Sequence, residues 1–191
     1  MYKYEETDRP WIRKAKRGNA EAFAWLYGKI YRDLYHFALY MMKQEQEAED
    51  MVSEAVMAAF ANIKSLKKEE AFGSWMFRIL GNCCRKKLLK DQEERAHLAE
   101  IPLTEKAPEK TTEVLVAEPM KDHAADLDVR SAFMELTEEE RLIVGFSVFA
   151  GYKSPEIGEM LGIKAVTVRS KRSRAFQKMK ERLGEECFYG A

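Results

Sequence analysis

Apolar side chains return every three or four residues through the front of this chain: Phe23, Leu26, Tyr27 and Ile30, then Leu34, Phe37, Ala38 and Met41, then Met51, Val52, Ala55, Met57, Ala58 and Phe60. That interval keeps one face of a 3.6-residue helix apolar, and no segment alternates apolar and polar residues as a strand would. The pattern gives way near residue 91. From there to residue 130 no aromatic side chain occurs, and three of the five prolines (Pro102, Pro108 and Pro119) fall among Glu, Lys and Thr. Such a stretch has too little apolar surface to offset the entropy of ordering it. The expected fold is therefore all-α, with two small helical domains at residues 8–90 and 129–184 joined by a flexible acidic linker at 91–128.

Charge divides the chain the same way. The 32 basic and 32 acidic residues sum to zero, yet residues 1–90 carry 17 basic and 12 acidic, residues 91–128 carry 4 and 11, and residues 129–191 carry 11 and 9. Two basic blocks flank an acidic middle, so a polyanion partner is compatible with a neutral total. Several other classes are excluded. The longest mostly apolar stretch, residues 142–152, is too short to span a bilayer, and no apolar signal segment lies between the charges near the N-terminus. Cytoplasmic residence without membrane insertion is the expectation. Three cysteines, two of them adjacent at Cys83 and Cys84, do not make a disulfide framework, and His36, His97 and His123 are scattered without zinc-ligand spacing. No metal or other cofactor is expected.

Helix punctuation sharpens the boundaries. Asp8 ahead of Pro10 can open a helix that stops near Gly18, with Asn19 capping the next. Thr137 and Glu140 form a T-x-x-E capping box, predicting a helix over about 138–149 that ends at Gly151. Ser154 with Pro155 starts a short helix that Gly162 must end, and a longer helix follows over about 165–183.

A short helix, a glycine-bearing turn and a longer second helix make a helix-turn-helix, whose second helix can lie in a DNA major groove. Ile157, Met160, Leu161, Ile163 and Val168 are spaced to pack the two together. Residues 164–182 carry Lys164, Arg169, Lys171, Arg172, Arg174, Lys178, Lys180 and Arg182 against the single acid Glu181. Such a helix can neutralise phosphates, and Thr167, Arg169 and Ser170 near its start can reach base edges. The plainer alternative is a solvated basic face in a helical bundle.

Two patches of opposite sign mark the first block. Glu45, Glu47, Glu49, Asp50 and Glu54 form an acidic cluster without a base, whereas Arg78, Arg85, Lys86, Lys87 and Lys90 form a basic run without an acid, preceded by Phe72, Trp75 and Phe77. Cations interleaved with aromatics suit single-stranded DNA, since every base offers a face to stack on. Core packing is the competing explanation for each aromatic. Carboxylates one turn apart can also hold Mg2+, as in helical nucleotide hydrolases, but that chemistry needs a second, facing pair. Glu69 and Glu70 diverge on a helix and Glu138 to Glu140 are spent on a helix start, so no catalytic residue is assigned and an enzyme is not expected.

The order of these parts resembles the extracytoplasmic-function sigma factors, the smallest group of bacterial RNA polymerase sigma subunits. The matching stretches are residues 18–27 (GNAEAFAWLY), 48–60 (AEDMVSEAVMAAF), 72–82 (FGSWMFRILGN) and 136–179, including SPEIGEMLGI and TVRSKRSRAFQKM. The resemblance implies a two-domain initiation factor that takes core polymerase to promoters, with residues 8–90 as region 2 and 129–184 as region 4. Glu49, Asp50, Ser53, Glu54 and Met57 would dock on the polymerase clamp helices. Residues 64–71, with Lys64, Lys67 and Lys68, would form the loop that captures a flipped base of the minus-10 element, and Trp75, Arg78, Asn82, Arg85 and Lys86 would line the melted strand. Ser154, Lys164, Ala165, Thr167, Arg169, Ser170, Lys171 and Arg174 would read the minus-35 element, while region 4 also touches the polymerase flap. The linker would thread toward the RNA exit path, and an anti-sigma factor is the usual further partner. Departures from the family pattern are Ser53 for glutamine, Val56 for phenylalanine, Phe60 for tryptophan, Arg172 for leucine, and Lys164 at the cap of the reading helix.

The mechanism read from the residues agrees with that implication: unpaired bases are trapped, with stacking and phosphate contacts offsetting an unstacking cost of a few kcal/mol. A linker of this length can span up to about 100 Å at roughly 3.3 Å per residue, so one chain can hold two promoter elements at once. Two alternatives remain at this level, a free-standing helix-turn-helix regulator and a helical Mg2+-dependent nucleotide hydrolase.

Overall fold

The structure, a computed structural model, describes residues 2–99 and 123–183, and among these every regular element is helical. Four helices form the first block: α1 (Arg9–Lys16), α2 (Ala20–Met42), α3 (Glu45–Asn62) and α4 (Phe72–Ala99). Their boundaries have local causes. Asn19 caps α2 by accepting a hydrogen bond from the Ala22 N–H at 2.7 Å, and Gly18 takes the left-handed φ of +91° that the tight α1–α2 turn requires. Asp8 opens α1 differently from the expectation. Its side chain is turned inward, where it accepts from the Tyr2 hydroxyl (2.7 Å), the Glu5 N–H (3.0 Å) and the Lys29 ammonium (2.6 Å). Most of the predicted apolar stripe is core: Leu26, Ile30, Leu34, Phe37, Ala38 and Met41 of α2 are buried with Ala48, Val52, Ala55 and Ala59 of α3 and Phe72, Met76, Phe77 and Leu80 of α4, whereas Met57 and Phe60, read as part of that stripe, are exposed.

The second block holds α5 (His123–Met134), α6 (Glu138–Val148), α7 (Ser154–Leu161) and α8 (Ala165–Leu183). The Thr137–Glu140 capping box forms as expected, and Gly151 and Gly162 adopt the left-handed conformations that end α6 and α7. Lys153, and not Ser154, occupies the N-cap position of α7; Ser154 is the first helical residue and is buried, with Pro155 behind it. Val168, Ala175 and Met179 turn the apolar edge of α8 inward.

Helix extends into the segment read as linker, since α4 continues past residue 90 to Ala99 and α5 begins at His123, ahead of residue 129. The remainder of that segment, with Pro102, Pro108 and Pro119, lies outside the described residues. The two blocks pack against each other through α5 and α6: α6 crosses α2 and α4, and α5 meets α2. Phe146 lies against Phe37 (ring centroids 5.8 Å apart) and Tyr40 stacks on Phe133 at 4.7 Å. Two glycines make the approach possible. A Cβ on Gly81 of α4 would sit 2.2 Å from the Phe146 ring, and one on Gly145 of α6 would sit 2.7 Å from Phe37.

Candidate polymerase and nucleic-acid interfaces

On α3, Ala48, Met51, Val52, Ala55 and Ala59 point inward and leave a carboxylate ridge on the other side. Glu49, Asp50, Ser53 and Glu54 are exposed, and Met57 continues the ridge with 68% of its surface open to solvent. The acidic cluster does not act as one unit. Glu47 pairs with Lys87 at 3.4 Å and Glu45 with Arg130 at 3.7 Å, whereas Glu49, Asp50 and Glu54 make no salt bridge among the described residues. An open ridge of three carboxylates ending in an exposed thioether suits a cationic helical partner and not an internal ion network. No group of three or more potential metal ligands occurs among the described residues.

The segment between α3 and α4 is a loop with two short 3-10 turns, Ile63–Ser65 and Glu69–Ala71. Ile63 and Leu66 anchor it in the core and leave Lys64, Lys67 and Lys68 exposed. Three cations of α1 hold it from below. Lys16 donates to the Leu66 carbonyl at 2.7 Å, and Arg9 and Arg13 take the two oxygens of Glu69 at 2.7 and 2.9 Å. The two guanidiniums hold the Glu69 carboxyl below its usual range, Arg13 contributing most. Sequence reasoning missed this contact, although Arg9, Arg13 and Lys16 stand at i, i+4 and i+7.

Along α4 the aromatics divide. Phe72 and Phe77 are core residues, while Trp75 is half-buried. Arg78, Asn82 and Lys86 are exposed on one face of the helix. Arg85 is half-buried, and its guanidinium donates to the Met160 carbonyl at 2.8 Å, one of the carbonyls that a helix C-terminus leaves unsatisfied. About three turns earlier on α4, the Tyr152 hydroxyl donates to the Ser74 carbonyl at 2.9 Å. The C-terminal end of α7 therefore rests on part of this basic face, and the α6–α7 corner meets α4 nearer its start. Lys87 is paired with Asp91 at 2.6 Å as well as with Glu47.

In the helix-turn-helix, Ile157 and Val168 are fully buried between α7 and α8, with Met160, Leu161 and Ile163 partly so. Gly158 is a second residue that sequence reasoning missed, because a Cβ there would meet the Ile163 carbonyl oxygen at 2.6 Å. The turn closes only over a glycine. The cations of α8 fall into two sets. Lys171 bonds Glu139, Lys178 bonds both oxygens of Glu140 at 2.9 Å, Arg182 pairs with Glu135 at 3.2 Å, and Arg172 reaches Ser147 Oγ at 3.2 Å. Lys164, Arg169 and Arg174 are exposed and make no salt bridge among the described residues, and Ser170 is exposed beside them. Ala165 and Thr167 are half-buried at the start of α8, and Ser154 is buried. Arg172 thus leaves the apolar stripe by bonding α6, while Phe176 packs against the core.

The comparisons with known proteins follow the same division. Residues 26–94 match the model of Sigma-70 region 2, and residues 126–179 match that of Sigma-70, region 4. The ECF RNA polymerase sigma factor SigM of Mycobacterium tuberculosis (strain ATCC 25618 / H37Rv) is 27% identical over 95% of this chain and 87% of its own length. SigW of Bacillus subtilis (strain 168), another ECF RNA polymerase sigma factor, is 26% identical over 90% of this chain and 94% of its own. Among solved structures, the sigma factor RpoE in complex with the anti-sigma factor NepR, from Bartonella quintana, shares the fold with a TM-score of 0.64 at 22% identity, over 86% of this chain and 98% of that one. CnrH in complex with the cytosolic domain of CnrY gives 0.59 at 22% identity, over 93% and 97%. With both regions present in the expected order, the chain belongs to the extracytoplasmic-function group of RNA polymerase sigma factors.

Proposed function

We propose that this sigma factor divides its work among the surfaces described above, with residues 8–90 acting as region 2, 91–128 as the linker and 129–184 as region 4. The α3 ridge of Glu49, Asp50, Ser53, Glu54 and Met57 docks on the clamp helices of core polymerase, and its solvent exposure is the observation that carries this reading. The loop lysines Lys64, Lys67 and Lys68 and the α4 face of Trp75, Arg78, Asn82, Arg85 and Lys86 receive the melted minus-10 strand by stacking and phosphate contact. Lys164, Ala165, Thr167, Arg169, Ser170, Lys171 and Arg174 meet the minus-35 duplex, with Ser154 supporting the start of α7. Region 4 also reaches the polymerase flap. Bond-making belongs to the polymerase, and this chain contributes binding and positioning.

Because the C-terminal end of α7 is hydrogen-bonded to Arg85, that arginine reaches a melted strand only after region 4 has left α4. Polymerase, by holding the two regions apart on two promoter elements, would supply the free energy for this exchange. A partner that favours the packed arrangement would act in the opposite sense. Of the similar solved structures, one is a sigma factor bound to an anti-sigma factor and another is CnrH bound to the cytosolic domain of CnrY, and an anti-sigma protein is the partner proposed for this chain too.

The test is Asp50→Arg, which places a cation on the ridge without disturbing a buried group. Loss of co-purification with core polymerase, at an unchanged helical circular dichroism spectrum and melting temperature, is the expected result. Undiminished co-purification would remove the ridge from the account.

A further inference from the structure

The contact between α1 and the loop at residues 63–71 has no part in the assignments above. Arg9, Arg13 and Lys16 lie on one face of α1 and hold the loop at two points, the Leu66 carbonyl and the Glu69 carboxylate. Between those points stand Lys67 and Lys68, both exposed. The loop's own backbone bonds are few, Leu66 N–H to Ile63 O at 3.1 Å and Ala71 N–H to Lys68 O at 3.1 Å, so its path between the anchors depends on what grips it from outside. The Glu69 carboxylate would otherwise repel nucleic acid beside the loop lysines, and the two guanidiniums that fasten it also neutralise it.

We propose that Arg9, Arg13 and Lys16 are positioning residues for minus-10 recognition: they fix the shape of the loop at residues 66–69 and thereby the base that it accepts. This rests on the reading of residues 64–71 as the base-capturing loop. A pocket discriminates among bases only if its walls are held, since a pliant loop can close around any of them.

The experiment is run-off transcription with core polymerase on a promoter library randomised across the minus-10 element, using the full-length chain. Lys16→Met and Glu69→Gln test the anchors, and Lys67→Ala with Lys68→Ala tests the loop. Expected is a fall of about tenfold in discrimination at one minus-10 position for the anchor variants. Minus-35 preference and core-polymerase binding should be unchanged, and Lys16→Arg should restore discrimination. Normal discrimination in the anchor variants, with altered discrimination in the loop variant, would overturn the positioning role while keeping the loop. Normal discrimination in all variants would overturn the loop reading and the proposal with it. A purely structural role for α1 predicts a lowered melting temperature with discrimination intact, which also contradicts the proposal.

Discussion

Two carboxylates buried in different blocks, Asp8 and Glu140, are expected to contribute to a loss of stability in acid. Burial alone would raise the Asp8 carboxyl, but the hydrogen bonds from Lys29, Tyr2 and the Glu5 N–H outweigh it and hold the group below its usual range. Glu140 behaves alike, with burial opposed by Lys178, the Thr137 N–H and the Thr137 hydroxyl. A carboxyl depressed in the folded state contributes stability that is complete above its unfolded pKa, about 4 to 4.5, and is lost as pH falls through the lower folded value. Stability should thus be flat near neutrality and decline below about pH 4.5. Replacing both residues, as Asp8→Asn with Glu140→Gln, should lower the melting temperature at pH 7 and flatten its decline in acid. Thermal melts from pH 3 to 7 read both effects, and an unaltered slope in the variant would show that other groups carry the acid response. These residues also show how far sequence reading extends. The Thr137–Glu140 box was readable because capping is local, fixed by a three-residue spacing. The partners of Asp8 and Glu140 were not, because Lys29 and Lys178 are brought in by packing across 21 and 38 residues.

At the scale of elements, the reading helix α8 carries most of the sequence-specific expectation. Its extent, its apolar edge at Val168, Ala175 and Met179 and its basic surface were visible in the spacing of residues. The division of its cations was not, since the acids that occupy Lys171, Lys178 and Arg182 lie on or beside α6, more than thirty residues away in sequence. The need for glycine at position 158 was hidden for another reason, because it comes from the close approach of the Ile163 carbonyl across the turn, which no pattern of side-chain types records. Arg169, proposed above to meet the minus-35 duplex, is exposed and makes no salt bridge among the described residues. Arg169→Ala should cost roughly 1 to 3 kcal/mol on promoters carrying the preferred minus-35 base and much less on those lacking it, as a bidentate base contact would. Competition binding of the polymerase holoenzyme on minus-35 variants measures this. An equal loss on every sequence would make it a phosphate contact.

For the whole molecule, division into two helical blocks around a proline-bearing acidic segment followed from composition, but their packing against each other did not. Nothing in an apolar period says whether a face is covered by its own domain or by the next, and Phe146 and Phe133 are covered by α2 and α4. The joint depends on Gly81, where any side chain would collide with Phe146. Gly81→Leu keeps a good helix former in α4 and wedges α6 away. Small-angle scattering should then report a larger radius of gyration at unchanged helix content, and an unaltered radius would mean that the joint tolerates the wedge.

In the proposed function the chain directs polymerase to a promoter through two surfaces used together. Run-off transcription by core polymerase, with and without this chain, on templates in which the minus-10 and minus-35 elements are varied separately, tests it most directly. Discrete transcripts that need the chain, both elements and a fixed spacing between them are the predicted result. Core polymerase that initiates no differently in its presence, while the chain alone binds duplex DNA tightly, would contradict the account.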